Sequence, residues 1–201
     1  MRMWPRRSKS LWLGAAASVL CAGAVLWPQA QANVSAVRTV AQVDLNRYGG
    51  TWYEIAHLPM FFQRNCDRDT QATYSLKSSG RVKVDNQCTR ADGQVQRSVG
   101  EAWPVDSSNA RLKVSFLPKA LNWLPVGQGD YWILRLDPDY QVVLVGSPNR
   151  RYLWILARQP QISEATYQAY VDAARAQGFE VSKLQRTRQT GAANAAKPIL
   201  H

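Results

Sequence analysis

Histidine and cysteine are scarce in this sequence. Of 201 residues two are histidines, His57 and His201, and three are cysteines, Cys21, Cys66 and Cys88. No C-x-x-C spacing occurs, so nothing reads as a structural zinc site. No Ser/His/Asp set and no metal cluster stand out, the body of the chain holds one histidine, and no catalytic residue, metal or cofactor is expected. Acidic residues are few, 14 against 25 Lys and Arg, for a formal charge of +11. The basic residues are scattered, as in Arg81 and Lys83, Arg111 and Lys113, Arg150 and Arg151, Arg186 and Arg188. With no dense basic tract a nucleic-acid partner is excluded, and mild attraction to anionic lipid is the better reading of the charge. Long apolar runs are also missing. The one candidate, 11–27, is shorter than the roughly 20 residues that span a bilayer.

That short run belongs to a targeting segment. Arg2, Arg6, Arg7 and Lys9 precede it without an acid, and the A-x-A signal Ala30-Gln31-Ala32 follows. Residues 1–32 therefore read as a secretory signal peptide. Cys21 raises the alternative of a lipid anchor, but the bulky Leu20 before it makes a poor lipobox, and cleavage after Ala32 is preferred. Cleavage would lower the charge to +7. The expected location is the periplasm, with outer-membrane association as the variant. Export to an oxidising compartment predicts a disulfide between the two remaining cysteines, Cys66 and Cys88.

Eight tryptophans and eight tyrosines supply one core or one apolar pocket. From 51 to 158 short alternating segments recur between turn signals: 51–58, 70–77, 81–88, 95–105, 111–116, 131–136, 140–145 and 152–157. The segments 140–145 and 152–157 are apolar on both faces, so an outer cover is required. Ser163 can cap a helix in which Tyr167, Tyr170, Val171 and Ala174 form one stripe and Gly178 ends it. A short final strand is expected over 179–184. Eight sequential antiparallel strands have two edges to protect, and closure removes them. The predicted fold is all-β: an eight-stranded antiparallel up-and-down barrel over 43–186 with one C-terminal α-helix packed outside. A linker over 33–42 precedes it and a disordered tail over 187–201 follows.

Three ordered motifs carry a family resemblance. Gly50-Thr51-Trp52 resembles the G-x-W opening of lipocalins, Asp139-Tyr140 their D-Y turn, and Arg158 the arginine that ends their eighth strand. The set is most similar to bacterial outer-membrane lipocalins and apolipoprotein D. The resemblance implies that Gly50, Trp52, Asp139, Tyr140 and Arg158 are structural, with Arg158 lying across the Trp52 indole at the closed end.

If Trp52 marks the closed end, the loops after the first, third, fifth and seventh strands form the mouth. Two carry apolar residues: Met60, Phe61 and Phe62 in one, Leu121 and Trp123 in the other. Alternation counted from Trp52 places Glu54, Ala56 and Leu58 inside and His57 outside. It also places Tyr74, Val84, Asn86, Val114, Phe116, Trp132 and Leu134 inside, an apolar small-molecule site with Glu54 as its charged member. The resemblance implies a fatty acid or lysophospholipid, bound for storage or transport in the bacterial cell envelope. The alternatives are an envelope interaction protein with a self-filled barrel, or a lipocalin-type enzyme. Either a monomer or a homodimer fits the sequence.

Overall fold

The computed structural model describes residues 35–118, 121 and 127–191. The expected signal peptide, Cys21, Trp123 and the tail from 192 lie outside the described residues. In chain order the elements are α1 (Leu45–Tyr48), β1 (Gly50–His57), β2 (Arg68–Leu76), β3 (Val82–Thr89), β4 (Val95–Pro104), β5 (Arg111–Ser115), β6 (Gln128–Leu136), β7 (Val142–Gly146), β8 (Leu153–Ala157), α2 (Glu164–Ala176) and β9 (Gln185–Arg186). Strands β1 to β8 pair antiparallel with their sequence neighbours, and β1 pairs with both β2 and β8. The sheet is thus a closed eight-stranded up-and-down barrel, with β1 joining its two ends.

The wall has an apolar cluster on each side. Inside, Trp52, Ala72, Tyr74, Val82, Val84, Ala102, Leu112, Ile133, Val143, Val145 and Leu156 are buried together. Outside, Ala56, Leu58, Leu134, Leu144, Leu153 and Ile155 pack against Tyr167, Tyr170, Val171, Ala174 and Phe179. This is why β7 and β8 are apolar on both faces. The helix forms where the sequence places it. Ser163 Oγ accepts from Thr166 N, Glu164 lies in the first turn, and Gly178 takes φ +80° beyond the last. Its apolar stripe has nowhere else to go: each fully buried side chain stabilises by about 2 kcal/mol relative to exposure.

Three stretches differ from the sequence reading. In the 33–42 segment, read as a linker, Val37 is buried in the outer cluster and Val40 N donates to Ile133 O. The expected final strand over 179–184 is instead a 3-10 turn at Val181–Lys183, followed by β9. Nor is the tail free from 187. Strands β1 and β2 pair only through Gly50–Tyr53 and then part. Residues 185–190 fill the gap: β9 pairs with Ala56 and His57, Thr187 N donates to Ile55 O, and Asp69 N donates to Arg188 O. The composition is polar because these residues satisfy open backbone groups of a sheet rather than a core.

Candidate functional site

The closed end is assembled from the three motifs. Gly50 adopts φ +90°, which favours glycine, and a Cβ there would lie 3.3 Å from Arg158 Nη1, so a side chain would also press on the guanidinium. Trp52 is fully buried and donates Nε1–H to Tyr48 O at 2.8 Å. The Arg158 guanidinium sits 3.9 Å from the Trp52 ring centroid. It also donates to four carbonyl oxygens, of Arg47, Tyr48, Thr51 and Tyr140. Tyr140 turns the chain at φ +59° and its hydroxyl accepts from Asp44 N, which docks α1 across the barrel base. Within the D-Y turn the working carboxylate is Asp137, which accepts from the amides of Asp139, Gln141 and Val142. Asp139 makes no such bond with its carboxylate among the described residues.

Above this base the interior is apolar with a few polar groups. Tyr48, Tyr74 and Tyr131 form a hydroxyl cluster, at 2.7 Å for Tyr48–Tyr131 and 3.0 Å for Tyr74–Tyr131. Burial raises all three phenols, Tyr74 to about 12, so they remain neutral donors and acceptors. Glu54 is 2% exposed. Gln63 Nε2 donates to its two oxygens at 2.7 Å each, and Thr187 Oγ1 donates at 2.5 Å. His57 Nε2 lies 3.8 Å from Oε1. Burial pushes the Glu54 carboxyl above its ordinary value, while His57, Thr187 and Gln63 pull it back. Glu54 thereby joins three pieces of chain: β1, the mouth loop and the C-terminal segment. Asn86 pairs with inward Ala72, and its Oδ1 is buried with no hydrogen-bond partner among the described residues.

The phase of the wall corrects several expectations. A bulge between Glu54 and Ala56 sets Glu54 opposite Leu156 and Ala56 opposite Ile155. Leu156 faces in and Ile155 faces α2, so Ala56 and Leu58 belong to the outer cluster. The same slip turns His57 inward, paired with Trp154, which packs on the inner cluster. In β6, Tyr131 and Ile133 face in, while Trp132 and Leu134 face out. Trp132 carries the Arg111 guanidinium at 5.2 Å. Phe116 lies beyond β5 and is 42% exposed. Tyr74, Val84 and Val114 do face in. The residues missed are Tyr131, Ile133, Trp154, Gln63 and Thr187. For β6 and β8 no periodicity could have found them, because α2 makes both faces apolar.

At the mouth Met60 is buried, but Phe61 is 72% and Phe62 49% exposed, and Leu121 is exposed. An aromatic series runs inward from this lip. Ring centroids are 5.3 Å apart for Phe61–Phe62, 5.5 Å for Phe62–Tyr152 and 6.1 Å for Tyr152–Trp154. Cys66 and Cys88 form the expected disulfide, which ties the end of the mouth loop to β3.

Residues 43–189 match the family of lipocalin-like domains. This chain is a lipocalin. Lipocalins bind small hydrophobic ligands, and relatives of this one occur widely. It is 43% identical over 157 residues to temperature-induced lipocalin-1 of Arabidopsis thaliana, covering 77% of this chain and 83% of that protein. It is 40% identical to the outer membrane lipoprotein Blc of Escherichia coli K12, covering 77% and 84%. Apolipoprotein D of Macaca fascicularis is 35% identical, covering 73% and 77%. Among solved structures, insecticyanin from Manduca sexta superposes with a TM-score of 0.61 at 19% identity, over 78% of this lipocalin and 86% of that chain, a likeness of fold.

Proposed function

We propose that this lipocalin is a non-catalytic carrier or store for a fatty acid or lysophospholipid in the bacterial cell envelope. One observation carries the reading: the barrel presents an apolar inner wall whose polar groups are few, namely the Tyr48–Tyr74–Tyr131 hydroxyls, Asn86 and the group around Glu54. Such a wall takes an acyl chain, and the polar groups orient a head. Asn86 Oδ1 would accept from a ligand hydroxyl or amide, since a buried acceptor without a donor is costly. The inward residues Tyr74, Val84, Val114, Tyr131 and Trp154 would line the chain-binding part. The lip of Phe61 and Phe62 would be the entry.

Location belongs to the same proposal. The name of the Escherichia coli relative is an outer membrane lipoprotein, and Cys21 with its flawed lipobox leaves cleavage after Ala32 as the preferred route. Mass spectrometry of the isolated protein decides between Asn33 as the first residue and a diacylated Cys21.

The binding test is a titration of delipidated protein with long-chain fatty acid and with lysophospholipid, followed by tryptophan fluorescence. Saturable one-to-one quenching is expected. Trp154→Phe should remove much of the signal change and Trp132→Ala should leave affinity within about twofold, because only the first side chain faces the interior. Absence of binding by either lipid would turn the reading to a self-filled barrel.

A further inference from the structure

Two features coincide at the lip, and together they point to a partner. The lip's aromatic residues are exposed on a fixed base. Met60 is buried beneath them, Gln63 is bonded to Glu54, and the disulfide begins at Cys66. Phe61 and Phe62 are therefore held outward rather than folded in, and a contiguous exposed apolar patch marks an interaction site. Its cations are also unspent. On the barrel wall several arginines are paired, Arg81 with Glu101, Arg97 with Asp85 and Arg111 with Asp106, as is Arg186 with Glu164 in the C-terminal segment, whereas Arg135 makes no ion pair among the described residues but donates to Ala169 O. Arg64, two residues beyond Phe62, and Arg151, next to the Tyr152 ring that meets Phe62, are exposed and make no ion pair among the described residues. The nearby acids are already used: Asp67 binds Arg68 and Arg188, and Asp92 pairs with Arg90.

Exposed aromatic rings flanked by free arginines match an anionic bilayer surface, where rings enter the acyl boundary and guanidinium groups meet phosphates. The aromatic series continues from that surface to Trp154 inside. We propose that the lip docks on anionic bilayers and that ligand moves between bilayer and barrel during this contact, along Phe61, Phe62, Tyr152 and Trp154, without passing through water. The transfer step rests on the carrier reading above; the docking step does not.

Two measurements test it with the purified protein. The first is flotation of ligand-free protein with phosphatidylcholine vesicles, with and without phosphatidylglycerol. Co-flotation only with the anionic vesicles is expected, falling about fivefold for each cation removed in Arg64→Gln and Arg151→Gln. The second is stopped-flow transfer of a nitrobenzoxadiazole-labelled lysophosphatidylcholine from loaded protein to vesicles. The rate should rise in proportion to vesicle concentration and with anionic content. Phe61→Ser with Phe62→Ser should abolish that dependence, with the variant's own probe affinity measured and used to normalise its transfer rate. A transfer rate independent of vesicle concentration would overturn the transfer step. Equal flotation with neutral and anionic vesicles, or a dimer that forms through the lip without vesicle binding, would overturn the docking. Failure of the wild type to bind the probe would instead overturn the carrier reading, and flotation would still decide the docking.

Discussion

Arg158 concentrates more interactions than any single sequence motif announces. Its guanidinium satisfies four carbonyl oxygens from three different segments and covers the Trp52 indole. Arg158→Ala would leave those acceptors short of a donor and uncover the ring. It should cost about 3 kcal/mol in urea unfolding, from charged hydrogen bonds and the cation–π contact. Arg158→Lys should recover only part of this, because an ammonium cannot span the four oxygens. Glu54 gives a prediction of opposite character. Burial raises its pKa above the ordinary 4.5, so the folded state holds the proton more tightly than the unfolded chain. The stability from this group is fully present below about pH 4.5 and is lost as pH rises through the folded value. The stability of wild type relative to Glu54→Gln should therefore fall as pH rises above about 4.5. A difference that grows with pH would show that the Gln63 and Thr187 donors outweigh burial. The comparison with the variant matters, because Asp85 beside Arg97 and Glu101 beside Lys77 are held below their ordinary values and contribute the other sign.

Among the elements, the mouth loop and the C-terminal segment are the two whose order comes from outside themselves. The loop is fixed by the Cys66–Cys88 bridge, with a sequence separation of 22. Replacing both cysteines by serine should cost about 3 kcal/mol by the chain-entropy account, or roughly 10 °C in Tm for a domain of this size. The C-terminal segment is fixed by hydrogen bonds and by the ion pairs of Arg186 with Glu164 and Arg188 with Asp67. Gln189 Nε2 donates to Glu54 O and Thr70 O, and the Asp69 carboxylate accepts from Thr190 N and Oγ1. Ending the chain at Leu184 should expose the parted edges of β1 and β2. Amide exchange at Asp69 should accelerate by at least about tenfold, while the amides between β7 and β8 keep their protection. Sequence reasoning places α2 well because cap, stripe and terminal glycine are local. It misplaces β9 because pairing at a gap in a distant sheet leaves no local signal.

For the whole molecule, closure of the barrel couples the two apolar clusters through one shared wall. A ligand inside that wall binds only the folded state. At a lipid concentration about a hundredfold above Kd, unfolding should become harder by about 2.7 kcal/mol, read as a rise in Tm of several degrees. Trp132→Ala should leave that increment unchanged even though it lowers the base stability, since Trp132 packs on the helix side. An increment lost with Trp132→Ala and kept with Trp154→Phe would place the ligand elsewhere than in the barrel.

The sequence by itself determined the barrel, its closed end, the disulfide and the covering helix. Each is written in local or repeated signals: alternation in β2, β3 and β5, the three motifs around Trp52, an isolated pair of cysteines and a capped stripe. The tertiary structure alone decided which face of β1 and β6 looks inward. Alternation identifies a face only when one side is wet, and α2 keeps the outer side of this wall dry. A one-residue bulge after Glu54 then exchanges Ala56 for His57. Its cause lies in the pairing of β1 with β8, about a hundred residues away along the chain.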